Sequence, residues 1–482
     1  MMKQQLQQAQ FALEQLKAQR GNTYYPDFHL APPAGWMNDP NGLIYFDGLY
    51  HAFYQHHPMS ADWGPMHWGH ATSHDMIHWQ HQLIALAPGD DYDRDGCFSG
   101  CAVNDNGVLS LIYTGHVWLK EEGDDSAIRE VQCLATSTDG IHFEKQGVIL
   151  TPPEGIMHFR DPKIWQENGT WWMVVGARDA ANCGQTLLYK GRSLREWQLD
   201  RILAHADLDG GYMWECPDFF PCGSHHYLMF SPQGIQQSKG YQYRNRFQSG
   251  VIQGHWQAGS AFIQSQKLTE LDNGHDFYAP QSFTTADGRR VIMAWMDMWE
   301  SVMPSKQEGW AGCLTLPREL FERDGHLCQR PVIEANSLRQ QSQPIKPHSF
   351  SKTEVLLDHS SAIELELVWD IRQSHAERYG IALGNKVGDG LELYIDSQSQ
   401  RLVLWRHYPE YELDGYRSIP LPTSDKLSLR IFIDRSSVEV FVNDGDATMS
   451  SRIYPQPNAR KLMLFASHGS AVISEGTLWQ LK

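Results

Sequence analysis

Five short stretches recur along this chain at a nearly constant pitch. They are Trp36-Met37-Asn38-Asp39-Pro40-Asn41-Gly42, Phe98-Ser99-Gly100, Arg160-Asp161-Pro162, Trp214-Glu215-Cys216-Pro217-Asp218 and Phe277-Tyr278-Ala279-Pro280-Gln281. The successive steps from Asp39 to Phe98, Asp161, Glu215 and Tyr278 are 59, 63, 54 and 63 residues. Self-similarity at a fixed pitch is the mark of one supersecondary unit used repeatedly. Each unit is long enough for a four-stranded sheet with its turns, which is a propeller blade. A second repeat agrees: Trp79, Phe143, Trp197 and Trp256 follow one another at 64, 54 and 59 residues. Blades place equivalent positions around one axis. Asp39, Asp161 and Glu215 are therefore expected to converge on one mouth.

Asp39 precedes a Pro-Asn-Gly sequence. Those residue types build turns, and a turn would present the carboxylate from a strand end. Alone, the stretch reads as an ordinary hairpin turn; its company gives it a function. Three carboxylates around a pocket suit glycoside hydrolysis, in which one attacks the anomeric carbon and one protonates the leaving oxygen. The third can steady the sugar as charge develops. Glu215 lies beside Trp214 and Cys216, with Phe219-Phe220 beyond. Apolar neighbours disfavour the charged form of a carboxyl, so Glu215 is expected to suit a proton donor. Asp39, among turn amides, is expected to stay ionised as a nucleophile.

These motifs, in this order, resemble those of glycoside hydrolase family 32, the invertases and other β-fructosidases. The resemblance covers essentially the whole chain and looks closest to the intracellular bacterial sucrose hydrolases. It implies Asp39 as nucleophile, Glu215 as acid and then base, and Asp161 as transition-state stabiliser. It also implies that Trp36, Asn38, Gln55, Trp63, Phe98, Ser99 and Arg160 shape the fructose pocket. Cys101 departs from the family, which often has Ser after Phe-Ser-Gly. The implied reaction is hydrolysis of the terminal β-fructofuranosyl bond of sucrose, with retention and without a cofactor or metal. Sucrose-6-phosphate hydrolysis and fructosyl transfer are the neighbouring alternatives. A non-catalytic sugar-binding propeller would have lost one of the three acids, and all three are present.

The chain has 482 residues, too many for one ordinary core, so more than one domain is expected. Of 17 Trp, fourteen lie at or before Trp310, where they serve inter-blade packing and sugar stacking. The net charge of −17 argues against nucleic acid or an anionic membrane as partner and is compatible with a neutral sugar. No apolar run approaches the roughly 20 residues of a spanning helix. Residues 1–20 lack the apolar core and cleavage site of a signal peptide; Leu6, Ala9, Leu13 and Leu16 instead mark a short amphipathic helix. Eight Cys in no metal-like spacing, with no export signal, fit free thiols and a cytoplasmic location.

The chain is thus expected to be all-β apart from that helix. A helix and lead-in occupies residues 1–26, a five-bladed propeller 27–335, a connector 336–351 and a β-sandwich 352–482. Asp47-Gly48 joins a hairpin, and Trp171-Trp172-Met173-Val174-Val175-Gly176 is a buried strand. The segment from Gly309 to Leu320 resembles the family's closing propeller motif. Half-polar alternation in Ile363-Glu364-Leu365-Glu366-Leu367 and Leu391-Glu392-Leu393-Tyr394-Ile395 indicates antiparallel sheets. That domain is expected to be structural, or to build a homo-oligomer, rather than to bind carbohydrate. Two stretches imitate metal sites. Asp91-Tyr92-Asp93-Arg94-Asp95-Gly96 starts like a calcium loop, but its twelfth position is Ala102. His67, His70, His74 and His78 suggest zinc, but they lie in strand-and-turn sequence.

Overall fold

The computed structural model describes residues 2–207, 209–237 and 240–482. Helix α1 (Met2–Lys17) buries Ala9 and Leu13 against Ala34 and Ile84, with Leu6 and Leu16 packed alongside. That is the expected apolar stripe, laid across the first blade.

Five antiparallel sheets of four main strands follow, one per motif. Their first strands are β1 (Gly35–Phe46), β2 (Gly96–Asp105), β3 (Phe159–Glu167), β4 (Met213–Cys222) and β5 (Tyr278–Thr284). Each touches the next, and β5 returns to β1, so these strands form the inner ring of a five-bladed propeller. The ring is closed by Trp310–Ala311, which pairs in parallel with Gly35 and Trp36 of β1. The closing segment therefore stitches the last blade's return to the first blade's inner strand, which removes an open edge.

The expected hairpin at Asp47-Gly48 is present, with φ of 46° and 81° that suit a tight turn between twisted strands. The second repeat also has a structural basis. Asp75 Oδ1 accepts from the amides of Ile77 (3.0 Å) and His78 (2.8 Å). Asp139 Oδ1 accepts from those of Ile141 (2.9 Å) and His142 (2.8 Å). Both are side-chain-capped turns at the same blade corner.

The C-terminal part is two packed antiparallel sheets, a β-sandwich. Residues 336–351, expected as a connector, are part of it. Arg339–Ile345 and His348–Phe350 pair antiparallel with the last strand, Ala471–Leu481. Their Gln, Ser and Pro residues read as a linker in sequence, yet they also suit an edge strand, where one side of the backbone faces water. Propeller and sandwich meet across a buried polar seam. Arg318, fully buried, donates to Glu439 and Asp272, each at 3.0 Å. His29 sits between Asp434 and Glu439, 2.8 Å from each.

Candidate active site

Every inner strand breaks its ladder at its motif. Pairing is interrupted at Asn38-Asp39, Ser99, Asp161-Pro162, Cys216-Pro217 and Ala279-Pro280. Proline lacks the N–H that a central strand must donate, so it is tolerated only where the ladder bulges. The residue before proline is also pushed away from right-handed helical backbone. In β3, β4 and β5 it takes positive φ: 66° at Asp161, 48° at Cys216 and 52° at Ala279. Each costs on the order of 1 kcal/mol. Strand β2 has no proline; there Gly100 lets the bulge close, since a Cβ would lie 1.9 Å from the carbonyl oxygen of Ile112. The Pro-Asn-Gly after Asp39, expected as a reversing turn, is instead a bulge within continuous β1. These bulges turn the motif side chains toward a cavity of about 350 Å³ at the mouth of the ring.

Asp39, Asp161 and Glu215 all line that cavity. Asp39 accepts from Asn38 Nδ2 (3.0 Å), Ser99 Oγ (2.6 Å) and Cys216 Sγ (3.4 Å). Asn38 is itself oriented by Trp36 Nε1, which donates to its Oδ1 at 2.7 Å. Asp161 Oδ2 accepts from the Cys216 amide (2.9 Å) and from its thiol (3.6 Å). Cys216 therefore links two carboxylates that are 122 residues apart in the chain. The third, Glu215, takes two bonds on Oε1 from Arg160, by Nη2 at 2.8 Å and Nε at 3.0 Å. Its Oε2 accepts from the Tyr278 hydroxyl at 2.5 Å.

The electrostatics differ from what the sequence suggested. Asp39 is not surrounded by turn amides; its donors are side chains. Burial, with Glu215 nearby, pushes its carboxyl above the usual range, against the bonds from Ser99, Asn38 and Cys216. Asp161 is pushed well up for the same two reasons, with Arg160 opposing. The Glu215 carboxyl is held by polar groups, Arg160 and the Tyr278 hydroxyl. Trp214 points to the opposite face of the strand, stacks on Phe230 at 3.9 Å and donates to Gly210 O at 2.8 Å. Phe219 and Phe220 belong to the packing between blades. Arg160 also reaches Glu130 at 3.3 Å. Burial raises the Glu130 carboxyl, but Arg160 and His116 outweigh it and hold it at about 2.

Asn38, Gln55, Trp63, Phe98, Ser99 and Arg160 line the cavity as expected of pocket residues. Trp36 does not. It lies behind Asn38, buried and stacked at 5.8 Å on Trp299, which does line the pocket. Cys101 also lies outside, in the apolar core between the second and third blades. Trp299, Phe247, Tyr212, Arg178 and His116 also stand on the wall, and no sequence motif marks them. None stands at the motif pitch. Tyr278 does, 63 residues after Glu215, and that regularity was its only signal. The four histidines do not form a common site: His70 stacks on Phe53 at 4.2 Å, His67 bonds Pro65 O, and His78 pairs with Asp75. Asp93 is buried and takes the Tyr113 hydroxyl and the Lys145 ammonium.

Comparison with known proteins agrees with this architecture. Residues 29–331 match the glycosyl hydrolases family 32 N-terminal domain, and residues 334–480 match the glycosyl hydrolases family 32 C-terminal domain. The chain is 70% identical to an Escherichia coli sucrose-6-phosphate hydrolase over 476 residues, 99% of each chain. It is 66% identical over 480 residues to an Escherichia coli raffinose invertase, covering 100% of both. Among solved structures, a Bombyx mori β-fructofuranosidase in complex with sucrose superposes with a TM-score of 0.86 at 31% identity, over 99% of this chain and 98% of that one. With both domain models matched and three carboxylates gathered at the mouth of a five-bladed ring, the chain is a glycosidase and belongs to glycosyl hydrolase family 32.

Proposed function

We propose that this glycosidase hydrolyses the terminal β-fructofuranosyl bond of sucrose through a covalent fructosyl-enzyme. The observation that carries the reading is the linkage of Asp39 and Asp161 through Cys216, with Glu215 opposite in the same cavity. In the first step an Asp39 carboxylate oxygen attacks the anomeric carbon of the fructosyl unit. The bond to the glucosyl oxygen breaks, and that oxygen takes the proton of Glu215. In the second step Glu215 removes a proton from water. The water oxygen attacks the anomeric carbon, the ester bond to Asp39 breaks, and fructose leaves. Asp161, fixed by Cys216, accepts hydrogen bonds from fructosyl hydroxyls. Asn38, Ser99, Gln55, Trp63 and Phe98 shape the fructosyl pocket.

The cavity volume falls within the range of about 300–1,000 Å³ common for small-molecule sites. Both arginines on its wall already have carboxylate partners: Arg160 has Glu215 and Glu130, and Arg178 has Asp125 at 3.6 Å. That supports a neutral leaving sugar over a phosphorylated one. The name of the 70%-identical relative favours sucrose 6-phosphate as a second reading. Kinetics on sucrose and on sucrose 6-phosphate at equal concentration separate the two. Fructosyl transfer is a third, and products at high sucrose reveal it. A folded Asp39→Ala protein that still turns sucrose over would overturn the reading.

Eight free cysteines support a cytoplasmic setting, which fractionation of the cell tests. No helix among the described residues is long and apolar enough to cross a membrane. Self-association through the sandwich belongs to the same proposal, and light scattering of the purified chain tests it.

A further inference from the structure

A second cleft, also of about 350 Å³, opens between the fourth blade and the sandwich. On the propeller side it is lined by Tyr241, Arg244 and Asn245; on the sandwich side by Arg401 and Arg417. In a chain of net charge −17, three arginines lining one cleft are unexpected. None of the three has a carboxylate within ion-pair distance among the described residues. Arg401 donates to the Ser418 hydroxyl (2.7 Å) and carbonyl (2.8 Å) and lies 3.7 Å over the Tyr241 ring. Arg417 donates to Asn245 Oδ1 (3.1 Å, from Nε) and to its own neighbour's carbonyl, Tyr416 O (3.0 Å). Arg244 lies 4.4 Å over the Tyr416 ring, and its Nε is buried with no hydrogen-bond partner.

Among the described residues, the one acid on the cleft wall is in direct contact with none of them. Glu270 is turned to the Tyr243 amide, which donates to it at 3.0 Å, and burial raises its carboxyl. Burial, with Arg406 and Arg244 adding repulsion, lowers Arg417 to about 10, against Asp276 and Glu270. Asp276 is itself engaged by Arg406 at 2.6 Å. The cleft is thus a partly desolvated cluster of cations in which, among the described residues, no arginine is in direct ion-pair contact with a carboxylate. A buried guanidinium N–H left unpaired is costly, and the planar fork suits a tetrahedral oxyanion.

We infer that this cleft is a second binding site, separate from the catalytic cavity, which takes a phosphate group on Arg244, Arg401 and Arg417. The ligand is either inorganic phosphate or a sugar phosphate monoester; Tyr241 and Tyr416 offer faces for a sugar ring. The site adjoins the catalytic cavity along the chain. Arg244 and Asn245 line it, and Phe247, two residues beyond Asn245, lines the catalytic cavity.

Calorimetric titration of the intact protein at constant ionic strength tests this, with inorganic phosphate in one arm and fructose 6-phosphate in the other. Saturable binding is expected in at least one arm. Tighter binding of the ester assigns the sugar phosphate, and equal binding assigns the ion. Arg244→Gln should weaken binding about tenfold or more, and Arg244→Lys, which keeps the charge but not the fork, should weaken it less. Sucrose turnover of Arg244→Gln without phosphate should match that of the parent. Arg417→Gln should also weaken binding, but Arg417 bridges to Asn245, so Arg244→Gln decides if that variant does not fold. No saturable binding in either arm, or unchanged affinity in folded Arg244→Gln, overturns the inference. Heat of binding is read without turnover, so the outcome is independent of whether sucrose is the substrate.

Discussion

Arg160 lays its guanidinium against Glu215, donating twice to Oε1 at 2.8 and 3.0 Å. Its charge is thereby turned to Glu215, the proposed acid/base, rather than to Asp161, its neighbour in sequence. A planar fork can orient a carboxyl group that, in the proposed reaction, gives up a proton and then takes one back.

Replacing this fork should affect proton transfer more than sugar binding. Arg160→Lys keeps the charge but loses the paired geometry. A fall in kcat for sucrose of about 10- to 100-fold is expected, from charge-assisted bonds of about 1.5–3 kcal/mol each. With a fructosyl donor whose leaving group needs no proton, the loss should be much smaller. An equal loss on both donors would show that Arg160 acts by shaping the pocket instead.

The acid side of the pH profile should report Asp39. Its carboxyl is raised above 3.8 by burial and then by Glu215. As the proposed nucleophile, Asp39 must be ionised to attack, so kcat/KM should fall as pH drops through that raised value. In Glu215→Gln the like charge is gone. Residual activity on an activated donor should then keep its acid limb at lower pH than in the parent. A limb that stays in place would assign it to another group.

Cys216 should behave as a structural donor and not as a reactive thiol. It is buried, and burial with Asp161 and Asp39 nearby pushes its thiol well up, so little thiolate forms. Iodoacetamide should leave the native enzyme fully active. Cys216→Ala removes the Sγ bond to Asp39 and keeps the amide bond to Asp161. A loss of about 3- to 10-fold in kcat is expected, with the acid limb moving up because Asp39 loses a donor.

The seam between propeller and sandwich should make stability depend on pH. Burial works against a charged His29, but bonds to Asp434 and Glu439 outweigh it and raise its pKa from 6.5 to about 9. A raised pKa stabilises the protonated folded form. The contribution is complete below pH 6.5 and is lost as pH rises through about 9. Its size is on the order of 3 kcal/mol. Tm should therefore decline across that window in the parent. In His29→Gln it should start lower and decline less, and parallel curves would remove His29 from the explanation.

How much of this could be read in the chain varies from residue to residue. The pitch of 59, 63, 54 and 63 residues carried the five blades, because a repeated unit leaves a repeated spacing. Asp39, Asp161 and Glu215 stood on that pitch and do share one cavity. Arg339–Ile345 read as a linker because an edge strand tolerates the same polar residues as a loop. Trp36 read as a pocket residue, although its ring faces away and orients Asn38 instead.

The amino-acid sequence by itself determined the blade count, the sandwich and the acids at the mouth, since each depends on periodicity or on a local motif. Tertiary structure alone decided what surrounds those acids. Arg160 pairs with Glu215 and not Asp161, Cys216 bridges Asp161 to Asp39, and Trp299, Phe247 and Arg178 complete the wall. Those relationships join residues on different blades. Nothing along the chain records them, because they follow from how five bulged strands close into a ring.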